Sequence, residues 1–130
     1  MPLEVRVVSP ERVVWSGDAR LVIAHGVEGD VGVLMNHAPL LVRLAIGPLR
    51  ILRDGEEVSS VVDGGFMHVT SAGGTTRVDV LVPTASLRSE IDPGLERHRA
   101  EEMQHRLAER EDAEAKAELA RALARIKLVE

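Results

Sequence analysis

All 11 glycines and all 6 prolines of this 130-residue chain lie at or before Gly94. The last 36 residues hold nothing that breaks a helix, whereas the residues before them are punctuated every few positions. No single class of secondary structure suits both stretches. Charge divides at nearly the same place: Arg88 to Glu130 carries 20 charged side chains in 43 positions, against 17 in the 87 that precede it. The expectation is a strand-built domain over residues 1–86 and a helical domain over residues 87–130.

The first part reads as short strands separated by turn signals at roughly 8 to 12 residue spacing, the pattern of a sandwich or barrel. The runs are LEVRVV, RVVW, RLVIAH, GVLM, PLLVRL, PLRILR, EVSSVV, FMHVT and TRVDVLV. Ser9-Pro10, Ser16-Gly17-Asp18, Gly26 with Gly29-Asp30, Gly47-Pro48, Asp54-Gly55, Asp63-Gly64-Gly65 and Gly73-Gly74 separate them as predicted turns. In TRVDVLV, Val78, Val80 and Val82 share one face while Arg77 and Asp79 share the other, as a half-buried strand requires. Leu3, Val5 and Val7 repeat that alternation. Asp54-Gly55 is the strongest tight-hairpin signal, because both residues tolerate the positive φ of a type I′ turn.

The second part opens on a helix start. Asp92 is suited to cap, Pro93 has its φ already set for the first helical position, and acidic residues follow. Ala100, Met103 and Leu107 then share one helix face, and Leu119, Leu123 and Ile126 form a second stripe further on. Between Ala108 and Ala113 lies ERED, a full turn with no apolar side chain. That interruption predicts two helices in an antiparallel hairpin. With no Gly or Pro at the bend, one continuous helix of about 54 Å, at ~1.5 Å per residue, is also chemically permitted.

Composition narrows the functions. The chain has no cysteine, which excludes disulfides, thiolate metal sites and cysteine nucleophiles. With 16 basic against 21 acidic residues, one Phe, one Trp and no Tyr, it offers neither a phosphate-tracking surface nor a base-stacking platform, so no nucleic-acid partner is expected. No run approaches 18 apolar residues, and the start MPLEVRVVSPE lacks the basic and apolar regions of a secretory signal, which leads us to expect a cytoplasmic protein. His37 and Asp30 stand together in GDVGVLMNHAPLL, but acid/base or metal chemistry needs further convergent groups, and His25 and His68 belong to other strands. No GxSxG elbow, HExxH or phosphate loop occurs, so neither catalytic nor metal-binding residues are expected. Arg121 and Arg125 lie one helical turn apart and could face an anion, although spacing alone favours a solvated face. His98 and His105, seven residues apart, could share one helix face, but without a third ligand type a solvated face is expected there too.

The order of parts and four segments resemble the epsilon-subunit family of the bacterial rotary ATP synthase over nearly the whole length. GDVGVLMNHAPLLVRLAIGPLRI is similar to that family's G-E-x-G-I-L-P-x-H-x-P-L loop and following strand, and VVDGGFMHVT to its S-G-G-F-x-E-V strand. VDVLVPTA resembles V-T-V-L-A-D-x-A, and AELARALARIKLVE the second helix. The family commonly has Pro and often Gly where this chain has Met35 and Asn36.

The resemblance implies an α+β fold, a flattened N-terminal β-sandwich of about 8 to 10 strands followed by the helical hairpin. It implies a non-catalytic rotor subunit at the cytoplasmic face of the cell membrane. Such a subunit binds gamma and the c-ring, couples rotation to ATP synthesis, and restrains hydrolysis when its helices extend toward alpha and beta. Glu28, Asp30 and His37 would fall on the loop facing the c-ring. Met103, Leu107, Leu119, Leu123 and Ile126 would pack the helices or meet gamma. In some relatives the hairpin binds ATP through I-D-x-x-R-A and arginines of the second helix. Ile91, Asp92, Arg121 and Arg125 match those positions, whereas Leu95 and Glu96 replace the Arg and Ala. No resident cofactor is expected, and at most a weak ATP contact. An ATP-sensing module built on the hairpin is the alternative function, and a β-sandwich hydrolase a more distant one.

Overall fold

The computed structural model describes residues 2–130. Eight strands precede two helices: β1 (Leu3–Val8), β2 (Val13–Ala19), β3 (Leu21–Gly26), β4 (Gly29–Val33), β5 (Leu40–Arg53), β6 (Glu56–Ala72), β7 (Thr75–Leu81), β8 (Ala85–Leu87), α1 (Pro93–Glu109) and α2 (Ala113–Val129). The strand order is β2-β1-β7-β6-β5-β3-β4, with β8 paired to β6.

One hydrogen-bonded sheet makes both layers of the sandwich, because β5 and β6 run through both. They hold one antiparallel register from Leu40 opposite Val69 to Arg53 opposite Glu56. Beyond the bend, Phe66–Ala72 of β6 pairs with β7 in one layer, while Ser60–Val62 pairs with β8 in the other. Leu3, Val5, Val7, Met67, Val69, Val78 and Val80 of the first layer meet Val22, Ala24, Leu49, Ile51 and Val62 of the second in a single core. The alternation in β1 and β7 is what sends every second side chain there.

Three expected turns lie inside strands: Ser16-Gly17-Asp18 is part of β2, where pairing with Arg6, Val5 and Glu4 of β1 overrides its turn chemistry, and the other two are bends. PLLVRL and PLRILR are one strand, and EVSSVV and FMHVT another. Gly47-Pro48 lies opposite Val62 and Val61, close to Gly64-Gly65, so both strands fold over together without slipping register. Gly64 and Gly65 have φ of +75° and +101°. A Cβ on Gly65 would strike the carbonyl oxygen of Leu81, so glycine there lets β7 close against the bend.

Asp54-Gly55 does join β5 to β6, but only Gly55 has positive φ, +77°, so the turn is not type I′. The paired positive values of that turn occur instead at Gly73 and Gly74, +59° and +81°, between β6 and β7.

Two helices form as expected. Asp92 Oδ1 accepts hydrogen bonds from the Gly94 and Leu95 N–H groups, and Pro93 follows at the first helical position. Arg110 is fully extended, which ends α1, and Asp112 Oδ1 accepts from Ala115 N–H to start α2. Asp112 thus marks the break that ERED announces. α2 lies against β5 and β6, and α1 packs on α2.

Candidate functional site

The acidic residues expected on one loop with His37 are set apart from it. Asp30 is the second residue of β4, beside the turn at Val27-Glu28, where Gly26 pairs with Gly29. His37 lies beyond the other end of β4, where its carbonyl accepts from Ser71 Oγ, and its Nδ1 is 2.7 Å from the Ala38 carbonyl oxygen. The rest of strand β4 and the turn closed by His37 N–H on the Leu34 carbonyl lie between the two residues. Asp30 instead meets His25, with Nδ1 2.7 Å from Oδ1, directly across the hairpin. The two-residue turn fixes that pairing, and a hairpin reading of GVEG would have found it. Glu28 and Asp30 are both exposed.

Asn36 occupies the left-handed region at φ +65°, the conformation that glycine would take there, and its N–H donates to the buried Thr76 Oγ1 at 2.8 Å. The departure from glycine therefore leaves this turn intact.

A second surface was not anticipated from the sequence. On the outer face of the layer holding β1 and β7, Phe66 stands opposite Leu81, and Leu81 beside Val8. Leu41 lies on the same face of β5, two residues before Arg43, which is opposite Phe66. Leu41, Phe66 and Leu81 are 66%, 48% and 54% exposed, and neither helix packs there. Phe66 and Leu81 pair directly and Leu41 is the diagonal neighbour of Phe66, so with the polar positions Arg43, His68 and Asp79 among and beside them they form a short, staggered apolar row with a polar rim. Its signal in TRVDVLV is Leu81 itself, an apolar residue on the face of Arg77 and Asp79.

The two arginines of α2 are engaged by carboxylates, one of the sandwich and one of α1. Arg121 Nε lies 2.8 Å from Asp63 Oδ1, off the line of an aligned hydrogen bond, so the contact is an ion pair from α2 to β6. Arg125 Nη1 straddles both oxygens of Glu96 at 3.4 and 3.3 Å, joining α2 to the first turns of α1. Arg99 adds a 3.0 Å contact to the same carboxylate, and Glu96 is only 4% exposed. The solvated-face expectation for Arg121 and Arg125 is thus overturned. Asp92 spends its side chain on the helix cap, and Ile91, between the last short turn and α1, is half-buried.

The α1 stripe buries Ala100 and Met103 and half-buries Leu107, with Glu96 one turn ahead of it. In α2 the fully buried positions are Ala115 and Ala122, while Leu119 and Ile126 are half-buried. Leu123 is 47% exposed, which removes it from the folded packing stripe. The small Ala122 takes the central contact and turns Leu123 outward. Among the described residues, no three His, Cys, Asp or Glu side chains gather as metal ligands.

Two ion pairs tie the other corners. Arg12 grips Glu90 through both guanidinium nitrogens at 2.8 and 2.7 Å, and Leu87 N–H also donates to Glu90 at 2.9 Å. Arg12, then that N–H, holds the Glu90 carboxyl below its ordinary range. Arg50, then Ser59, does the same for Glu57.

The family model for the beta-sandwich domain of the ATP synthase delta/epsilon chain matches residues 2–88. The ATP synthase epsilon chain of Thermobifida fusca is 44% identical over 131 residues, covering 96% of this chain and 90% of its own. That of Frankia casuarinae is 50% identical over 88 residues, 67% of this chain and 99% of its own. In fold, the chain is similar to one in the Euglena gracilis mitochondrial ATP synthase structure, with a TM-score of 0.85 at 21% identity, over 99% of this chain and 82% of that one. With its sandwich, its hairpin and relatives alike along nearly the full length, the chain belongs to the ATP synthase epsilon chain family, whose members are non-catalytic subunits.

Proposed function

We propose that this chain is a rotor subunit of the ATP synthase central stalk, docking on gamma through the Leu41, Phe66 and Leu81 row and presenting the Glu28 and Asp30 turn to the c-ring. The row carries the reading: it is an apolar strip with a polar rim, on a rigid sheet face that the chain's own helices leave uncovered. A partner that buries aromatic and aliphatic side chains there gains the transfer free energy of burying them, about 1.5–3 kcal/mol for each large side chain fully covered. Torque needs a stiff connection, and a sheet built from two continuous bent strands supplies one. The exposed acids of the β3–β4 turn suit a polar contact at a membrane ring. No helix among the described residues is long and apolar enough to cross a membrane. The chain would then sit peripherally, on the cytoplasmic face, within the complex.

In the same reading, the helices restrain hydrolysis when they leave the sandwich and extend toward alpha and beta, where the freed arginines meet acidic groups. The ATP-sensing alternative has less support, since Glu96 already engages Arg125. The deciding experiment is reconstitution with gamma. Phe66→Glu with Leu81→Glu should abolish copurification with gamma while the variant keeps its β-rich melt. Retained stoichiometric binding would place gamma elsewhere.

A further inference from the structure

We propose that Glu96 is the internal ligand of an arginine seat between the helices, a latch that holds the hairpin folded with no added anion. Arg125 reaches across from α2, Arg99 closes from α1, Glu96's own helix, and the carboxylate between them is almost wholly withdrawn from solvent. A buried carboxylate is tolerated only when cations face it, so the position has meaning only while α2 is docked. Undocking α2 removes one cation and exposes the acid to water.

The latch is also built to release. Charge-assisted pairs in firm geometry close to about 2.7–2.9 Å, whereas Arg125 stays 3.3 Å or more from both oxygens and its Nε has no partner. One guanidinium nitrogen shared between two oxygens fixes charge without locking direction. One turn earlier Arg121 pairs with Asp63 between α2 and the sandwich, at 2.8 Å but off the line of a hydrogen bond. Helix α2 is therefore held by one long ion pair to α1 and one misaligned ion pair to the sandwich, beside a contact built on alanines and Met103, a combination that suits an element with two positions. The inference concerns the isolated chain and stands whether or not the extended helices brake hydrolysis.

The absence of cysteine makes the test direct. Glu101→Cys and Lys127→Cys place spin labels on exposed positions of α1 and α2 in the full chain. The parent should give one short, narrow distance, unchanged by millimolar ATP. Glu96→Arg alone and Arg125→Glu alone should each broaden and lengthen it, and the two together should restore it, since the swapped pair again sets one carboxylate among cations. Glu96→Gln, which keeps the volume, should give partial broadening, and strand circular dichroism would show that each variant's sandwich is folded. Unchanged distances in the single variants, a double swap that recovers nothing, or closure that requires ATP would each overturn the latch. In assembled complexes, longer distances with unaltered hydrolysis would count against the braking reading while supporting the latch.

Discussion

Glu90 shows how a single carboxylate can tie the end of the sandwich to its beginning. Both oxygens are gripped by Arg12 from the β1–β2 corner, 78 residues away, and that grip lowers its proton affinity in the folded state. A carboxyl whose folded value lies below its ordinary 4.5 stabilises the fold above that pH, and the contribution is lost as pH falls through the depressed value. Glu57, held low by Arg50, acts with the same sign. Melting temperature should thus fall more steeply between about pH 6 and about pH 3 in the parent than in Glu90→Gln, and most shallowly in Glu57→Gln with Glu90→Gln. Parallel curves for all three would remove these pairs from the acid response. None of this was legible in the sequence, because Arg12 and Glu90 carry no mutual spacing signal. The same holds for Glu96, which motif comparison reads as a lost alanine beside the arginine lost at Leu95, and which is legible as a gained carboxylate only once α2 is seen opposite. Asp92, by contrast, was readable in full, since capping depends on the next two or three residues alone.

At the scale of elements, local signals were followed wherever the chain answered to its neighbours in sequence, and set aside where tertiary pairing decided. The helices begin and end at Asp92, Arg110 and Asp112, within the segments that Pro93 and ERED mark. Strand continuity went the other way: Gly47-Pro48 and Gly64-Gly65 have turn chemistry, but each sits beside a bending partner strand, and the ladder runs on through both. A sequence shows the flexible residue and not the strand across from it. The helix stripes illustrate the same limit, because a period of 3.6 residues gives the face but not which large or small residue lies at its centre. Met103 is buried on α1 and Leu123 half-exposed on α2. Met103→Lys should cost about 3 kcal/mol or more by burying an unpaired charge, read as early loss of helix signal on heating. Leu123→Lys should move stability by less than about 0.5 kcal/mol. A larger loss from Leu123→Lys than from Met103→Lys would reverse the packing assignment.

Considered whole, the molecule is a rigid sandwich carrying a lightly held pair of helices, and the two parts differ in what stabilises them. The sandwich has one continuous core of leucine, isoleucine, valine and methionine from both layers, closed by two strands that belong to each. The helices bury two alanines of α2, with Ala100 and Met103 of α1, and rest on ion pairs. Helices held by so narrow a stripe are marginal by themselves and depend on the surface beneath them, whereas the sheet encloses a core drawn from its own strands. β8 pairs with β6, and Glu90 grips Arg12, so the last residues that the sandwich needs extend to position 90. A chain cut after Glu90 should melt cooperatively with β-sheet circular dichroism. Asp63, Ser59 and Val61, on the face that α2 covers, become exposed by the cut and lower its melting temperature without preventing folding. The Leu41, Phe66 and Leu81 row lies away from the cut, so binding to gamma should persist at undiminished affinity. A truncated chain that is unfolded would show that the helices are part of one cooperative unit, and one that folds yet fails to bind gamma would move the docking surface onto the hairpin.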